Sequence, residues 1–291
     1  MKTFSNLSDQ TQNPPRLQIG QALWGMQNLP FNAPVEWTLE EKIARVKDAG
    51  FAHLECSLAA LKAQPEIASL VREQGMQFSS GHRPLNAKQA CEAVEFAADL
   101  GAKWVFNQPG SAYHSLSETV ALVRAGAELA AEKGIGYFVE THRNNFTETI
   151  PNALQLVEAI PNVKITADFS HFVVCGEFYG GEGEGFLERI APIIERVAHV
   201  HGRISNGEQV QVDVGDGQTA PARFFVEIWT QIFKTWRQSA QNGDILPFSS
   251  ELGPPRYAIT APDGKEISDR WEQALVMREL AREAWQRSET D

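Results

Sequence analysis

The amino-acid sequence predicts an α/β chain folded as a single-domain (β/α)8 TIM barrel. Eight short strand-like runs alternate strictly with helical patterns, and strict alternation implies a parallel sheet. Eight such units spread over 17–291 match the size of a closed barrel, with a doubly wound open sheet as the competing arrangement. No Pro/Gly/Ser-rich linker, low-complexity tract or break in composition divides the chain. The span 17–291 therefore reads as one domain behind a leader over 1–16, expected to be flexible and closed off by Pro14-Pro15.

The strand-like runs are LQIGQALWG (17–25), FAHLEC (51–56), MQFSSGH (76–82) and KWVFNQ (103–108) in the first half. IGYFVETH (135–142), VKITADFSH (163–171), AHVHGRI (198–204) and ILPFSSEL (245–252) follow in the second. Between the first two, Thr38 is an N-cap with Glu41 three residues on, a capping box, and the helix stops at Gly50. A helix over about 60–74 is interrupted by Pro65. Asn86 caps a helix running to Gly101. Apolar spacing near i, i+3, i+4 recurs over 117–133, 148–159, 186–197, 223–241 and 266–287.

Bulk composition removes several function classes. The net charge of −11 opposes wrapping a nucleic-acid backbone, so no nucleic-acid partner is expected. Three widely spaced cysteines, Cys56, Cys91 and Cys175, form no disulfide framework and no CxxC metal site. Reduced thiols fit a cytoplasmic protein. The polar N-terminus has no apolar signal region, and no run approaches the roughly 18 apolar residues of a membrane span, so no membrane partner is expected.

In a barrel of this kind the active site gathers at the C-terminal ends of the strands. Trp24 stands there on strand 1, Glu55 on strand 2, His82 on strand 3 and Asn107 on strand 4. Strand 5 carries Glu140 and His142, strand 6 Asp168 and then His171, strand 7 His199, His201 and Arg203, and strand 8 Glu251. Side chains two apart share a face, so Glu140 aligns with His142, and His199 with His201 and Arg203. Three oxygen donors (Glu140, Asp168, Glu251) and one imidazole (His201, with His199 as the alternative) suit a divalent cation. Mn²⁺, Mg²⁺ or Co²⁺ match mixed carboxylate and imidazole ligands, and Zn²⁺ is a further option.

The pieces VETH (139–142), ADFSH (167–171), HVHGR (199–203) and SSELGPP (249–255) fall in order on strands 5 to 8. In these the chain resembles the xylose isomerase-like TIM-barrel superfamily of sugar phosphate isomerases and epimerases. The resemblance implies Glu140, Asp168, His201 and Glu251 as metal ligands, with His171 and Arg203 contacting a carbohydrate substrate. It also implies that Glu140 and Glu251 face opposite sides of that substrate as a proton-transfer pair. The resemblance thus implies a metal-dependent isomerase or epimerase moving a proton next to a carbonyl of a ketose or related polyol through an enediolate. The loops SNGEQVQVDVGDGQTAPA (205–222) and GPPRYAIT (253–260) depart from the tagatose- and psicose-type epimerases and would shape the barrel mouth.

His142, Trp24, His82 and Asn107 are read as further substrate-facing residues, and Glu55 as a pocket or barrel-interior residue. His53 reads as a packed strand histidine, and His114 as a loop residue with an outside chance of touching substrate. GGEGEG (180–185) lacks a lysine and the P-loop pattern, and reads as a lid. A lyase or dehydratase on an inosose or keto-glycoside would begin with the same proton abstraction. An apurinic endonuclease-like hydrolase would need extra ligands, for which Asp213 and His82 are the candidates. A non-catalytic sugar-binding barrel is the fourth reading. Barrels of this size often pair through their helices, so a homodimer is an expectation.

Overall fold

The computed structural model describes residues 4–178 and 183–289. Eight parallel strands close into a ring: β1 (Arg16–Ala22), β2 (His53–Ser57), β3 (Gln77–His82), β4 (Trp104–Asn107), β5 (Gly136–Glu140), β6 (Ile165–Ala167), β7 (Val197–Gly202) and β8 (Asp244–Ser250). Each pairs with the next, and β8 pairs with both β7 and β1, which makes the barrel continuous. No helix among the described residues is long and apolar enough to cross a membrane.

Local chemistry sets the helices that wrap the ring. Thr38 and Glu41 form the reciprocal capping box that starts α1 (Leu39–Asp48). The helix expected over 60–74 is two, α2 (Leu58–Ala63) and α3 (Ile67–Glu73). Gln64, directly before Pro65, is forced out of the helical region (φ −138°, ψ 75°), and the chain breaks there. Asn86 caps α4 (Ala87–Asp99), and Ser115 and Glu118 form a second capping box for α5 (Leu116–Lys133). Thr149 caps α6 (Ile150–Ala159). After β6 the chain turns into α7 (Ser170–Cys175) and then α8 (Gly183–Ile194). Thr219 caps α9 (Ala220–Ser239) and Asp269 caps α10 (Arg270–Arg287).

Two further sequence expectations change. The strand read over 163–171 is only three residues long. Asp168 Oδ1 accepts from the Ser170 backbone N–H and hydroxyl, which turns the chain into α7. Within the 1–16 segment, Leu7–Ser8 form a short strand pairing antiparallel with Ile245 and Asp244, so at least this part of the leader is structured. Of the lid read over 180–185, residues 180–182 lie outside the described residues, and 183–185 begin α8.

Leu7 has a packing role. It sits against a small apolar cluster of Trp104, Phe106, Phe138 and Ala198 inside the barrel, apart from the large strand–helix core. These rings fit because facing strand positions carry no side chain. A Cβ on Gly81 would lie 2.2 Å from the Phe106 ring. Trp104 is completely buried. Truncating it to Ala is expected to cost about 3–5 kcal/mol of unfolding free energy. Urea denaturation checks this, and a cost under about 1 kcal/mol would show that the barrel floor does not depend on the indole.

Candidate metal centre and active site

The four expected ligands converge. Glu140, Asp168, His201 and Glu251 are buried and offer ligand atoms that all lie within 4.8 Å of one another. Each arrives from a different strand end. Glu140 closes β5, and Thr147 donates to its backbone carbonyl at 2.5 Å. Asp168 follows β6, where its backbone N–H donates to Thr141 Oγ1. His201 lies in β7 and Glu251 directly follows β8.

Positive charge holds the carboxylates together. His201 Nδ1 is 3.1 Å from both Glu140 Oε1 and Glu251 Oε2. Arg203 Nε donates to Asp168 Oδ2 at 3.1 Å, and its Nη2 donates to Glu251 Oε2 at 2.6 Å. Burial pushes the Glu140 carboxyl up to about 7, against the opposing pull of His201. Burial acts the same way on Glu251, but His201 and Arg203 outweigh it and hold that carboxyl well below the usual range. Burial disfavours the charged form of His201, yet Glu55, Glu251 and Glu140 together hold its pKa well above the ordinary value. Three carboxylates converging in a buried site call for compensating cation charge. The donor set of three carboxylates and one imidazole fits a divalent cation. His171 adds to that fit, because both of its buried ring nitrogens lack a hydrogen-bond partner among the described residues and Nε2 lies 3.5 Å from Asp168 Oδ2.

Glu55 emerges as a part of this centre. Its Oε2 lies 3.1 Å from His201 Nε2, so the carboxylate holds a proton on that nitrogen and leaves Nδ1 to face Glu140 and Glu251. Residue types alone could not assign this role, because the partner lies 146 positions away. Gln108 was also missed; it donates to Glu140 Oε2 at 2.8 Å. Gln211, in the loop after β7, accepts from Arg203 Nη1 at 3.0 Å and also bonds the Gly253 backbone in both directions. It ties together the two loops that the sequence marks as departures from the epimerases.

The other expected residues divide into lining and supporting groups. Trp24, Glu55, His82, His142, Arg203 and Glu251 line a cavity of about 580 Å³. Tyr257, from the loop after β8, joins them and packs edge-on against Trp24 with centroids 5.1 Å apart. The His142 and His171 rings lie 3.9 Å apart by centroid. Burial, then the neighbouring His171, lowers the His142 pKa to about 2. Asn107 does not line the cavity. Its Nδ2 donates to the Phe138 carbonyl at 2.7 Å, because Trp104 and Phe106 take the inward positions of β4 and the next inward residue is Gln108. His199 points into the barrel lower down, sharing Ser249 Oγ with His53. His114 bonds Ser111 and the Leu85 carbonyl, away from the cavity. Among the described residues Asp213 and His82 join neither candidate ligand cluster.

Comparison with known proteins places this geometry in a family. The family model for the xylose isomerase-like TIM barrel matches residues 43–236. The chain belongs to that family. Similar solved structures span nearly the whole chain. A D-psicose 3-epimerase solved in the presence of D-fructose has a TM-score of 0.61 at 14% identity, covering 92% of this chain and 99% of its own. A 3-keto-D-glucoside 4-epimerase from E. coli, in its apo form, has a TM-score of 0.57 at 16% identity, covering 92% and 100%. A xylose isomerase-like TIM barrel protein from Mycobacterium smegmatis in complex with magnesium has a TM-score of 0.59 at 13% identity, covering 93% and 97%. At these identities the likenesses establish the family's fold and leave the reaction open. No curated protein sequence matches the chain significantly.

Metal content, measured by elemental mass spectrometry on equal amounts of protein, tests the centre. Glu140→Gln, Asp168→Asn, His201→Ala and Glu251→Gln are each expected to lose most of the bound cation. Glu55→Gln should weaken binding by about 10–100-fold while leaving all four ligands in place. Retention of the metal when all four ligands are changed together would refute the assignment.

Proposed function

We propose that this protein is a metal-dependent isomerase or epimerase that moves a proton on a carbon next to a carbonyl, in a ketose or related polyol. The observation that carries this reading is the convergence of Glu140, Asp168, His201 and Glu251 within 4.8 Å, with Glu251 lining the adjoining cavity. The similarity to a D-psicose 3-epimerase and a 3-keto-D-glucoside 4-epimerase supports it.

Those four residues would hold the cation. When bound, it supplies Lewis-acid stabilisation of the negative charge that develops as the carbon acid loses its proton. The protein's own groups do the rest. Glu140 and Glu251 come from strands on opposite sides of His201, so one carboxylate removes the proton and the other returns one. Return to the opposite face of the same carbon inverts that centre, and the intervening species is an enediolate. Arg203 is fixed by Asp168, Glu251 and Gln211, so its guanidinium enters the reaction already oriented. Trp24, Phe106 and Tyr257 line the cavity with apolar surface that a sugar's C–H face can cover.

Deuterium uptake from D₂O in the Mg²⁺- or Mn²⁺-loaded protein tests the reading. Exchange next to the carbonyl is expected with at least one ketose, inosose or keto-glycoside. Glu140→Gln and Glu251→Gln should each lower it by about 10²–10⁴-fold. No exchange with any such compound overturns the proposal. Exchange accompanied by loss of water or another leaving group, read from product mass, would replace it with a lyase.

A further inference from the structure

We infer that the cavity wall carrying Arg83 and Lys62 is a subsite for an anionic group on the substrate, a carboxylate or a phosphate. The inference rests on the carbohydrate chemistry proposed for the inner site.

The inner part of the site is internally matched. Asp168 and Glu251 meet Arg203, while Glu55, Glu140 and Glu251 meet His201. The wall carrying Arg83 and Lys62 is not. Arg83 immediately follows β3 and Lys62 lies on α2, and both line the same cavity as Glu251 and Arg203. Among the described residues neither forms an ion pair, and Lys62 has only the Phe96 ring beneath its ammonium, at 5.5 Å. Arg143 adds a third cation without an acidic partner among the described residues. Its guanidinium stacks 4.7 Å above Tyr257, whose ring also lines the cavity.

This arrangement runs against the chain's charge balance. Acidic residues outnumber basic ones 37 to 26, yet these three cations have no carboxylate partner among the described residues. Three cations without acidic partners around one cavity leave it positive at the mouth, and such a field attracts and orients an anion. Arg83 can offer a planar two-donor fork to a carboxylate or phosphate, and Lys62 a point charge.

Isothermal titration of the protein as purified tests the subsite with matched probes. D-Fructose is the neutral ketose, D-fructose 6-phosphate the phosphate and 5-keto-D-gluconate the carboxylate. Inorganic phosphate and malonate report on the anion site without a sugar. At least one charged ketose is expected to bind 30-fold or more tightly than D-fructose, and which one identifies the anion. Arg83→Gln combined with Lys62→Gln should remove at least ten-fold of that preference, and raised salt should weaken it. Equal binding of neutral and charged ketoses to the wild type overturns the inference, as does full preference in the double variant. If no ketose binds, the two simple anions decide. Tighter binding to wild type than to the double variant sustains the subsite and counts against the isomerase reading alone. Equal binding to both proteins overturns the subsite, whatever the proton-exchange result.

Discussion

The structure depends on how three acidic side chains are kept together out of water. Glu140, Asp168 and Glu251 sit at one strand-end layer of the barrel, and mutual repulsion would drive them apart or protonate them. His201 and Arg203 prevent that. They are two positions apart along the run leaving β7, so they share a face, and each reaches more than one carboxylate. Neither cation is replaceable by a neutral group at small cost. Removing one partner of a buried ion pair leaves an uncompensated charge, worth about 3–5 kcal/mol. The register of the barrel serves this requirement. His201 pairs with Ser249 and Gly202 with Ser250, which brings Glu251 alongside Arg203. The irregularity between Ile165 and Thr166 on β6 resets the register just before Asp168.

Below the charged layer the barrel interior becomes progressively less polar. Glu55 braces His201 from beneath, and the His53–Ser249–His199 chain occupies the next level. Under these lie Trp104 and Phe138, with Leu7 against the cluster they form with Phe106 and Ala198. His199 and His53 are held neutral, chiefly by burial, so the charge stays in the top layer. The apolar floor shuts water out from below. Pairing in the layer above is therefore stronger than it would be in solution.

Much of this could be read from the sequence, and the misses have physical causes. Alternation, capping boxes and strand-end polar residues come from local chemistry, so they located the barrel and the four residues that converge at its mouth. The period-two rule correctly put His201 and Arg203 on one face. It misplaced Asn107 because all four residues of β4 are buried, so their hydrophobicity does not tell the inside of the barrel from the outside. The three-residue β6 and the two-residue strand at Leu7 are too short to show any period. Gln211 and Tyr257 come from loops, where side-chain direction follows no repeat. Their loops were nonetheless identifiable as the unusual parts of the chain. Glu55 was visible as a residue but not as a partner of His201, because only barrel closure brings β2 and β7 face to face across the interior.

The two halves of the barrel carry different tasks. Strands β5 to β8 supply all four candidate ligands and Arg203, so the charge chemistry is concentrated on one side of the ring. The residues at the ends of β1 to β4 supply the wall: Trp24, His82, Arg83 and Gln108 all line the cavity, and Gln108 alone among them touches a ligand. Changing that wall leaves the balance among Glu140, Asp168, His201, Arg203 and Glu251 largely in place. Under the proposed reaction, the first half would set substrate choice and the second half would carry the proton transfer. Glu55 is the exception that joins them, a first-half residue whose carboxylate bonds His201, the one imidazole in the four-residue candidate cluster.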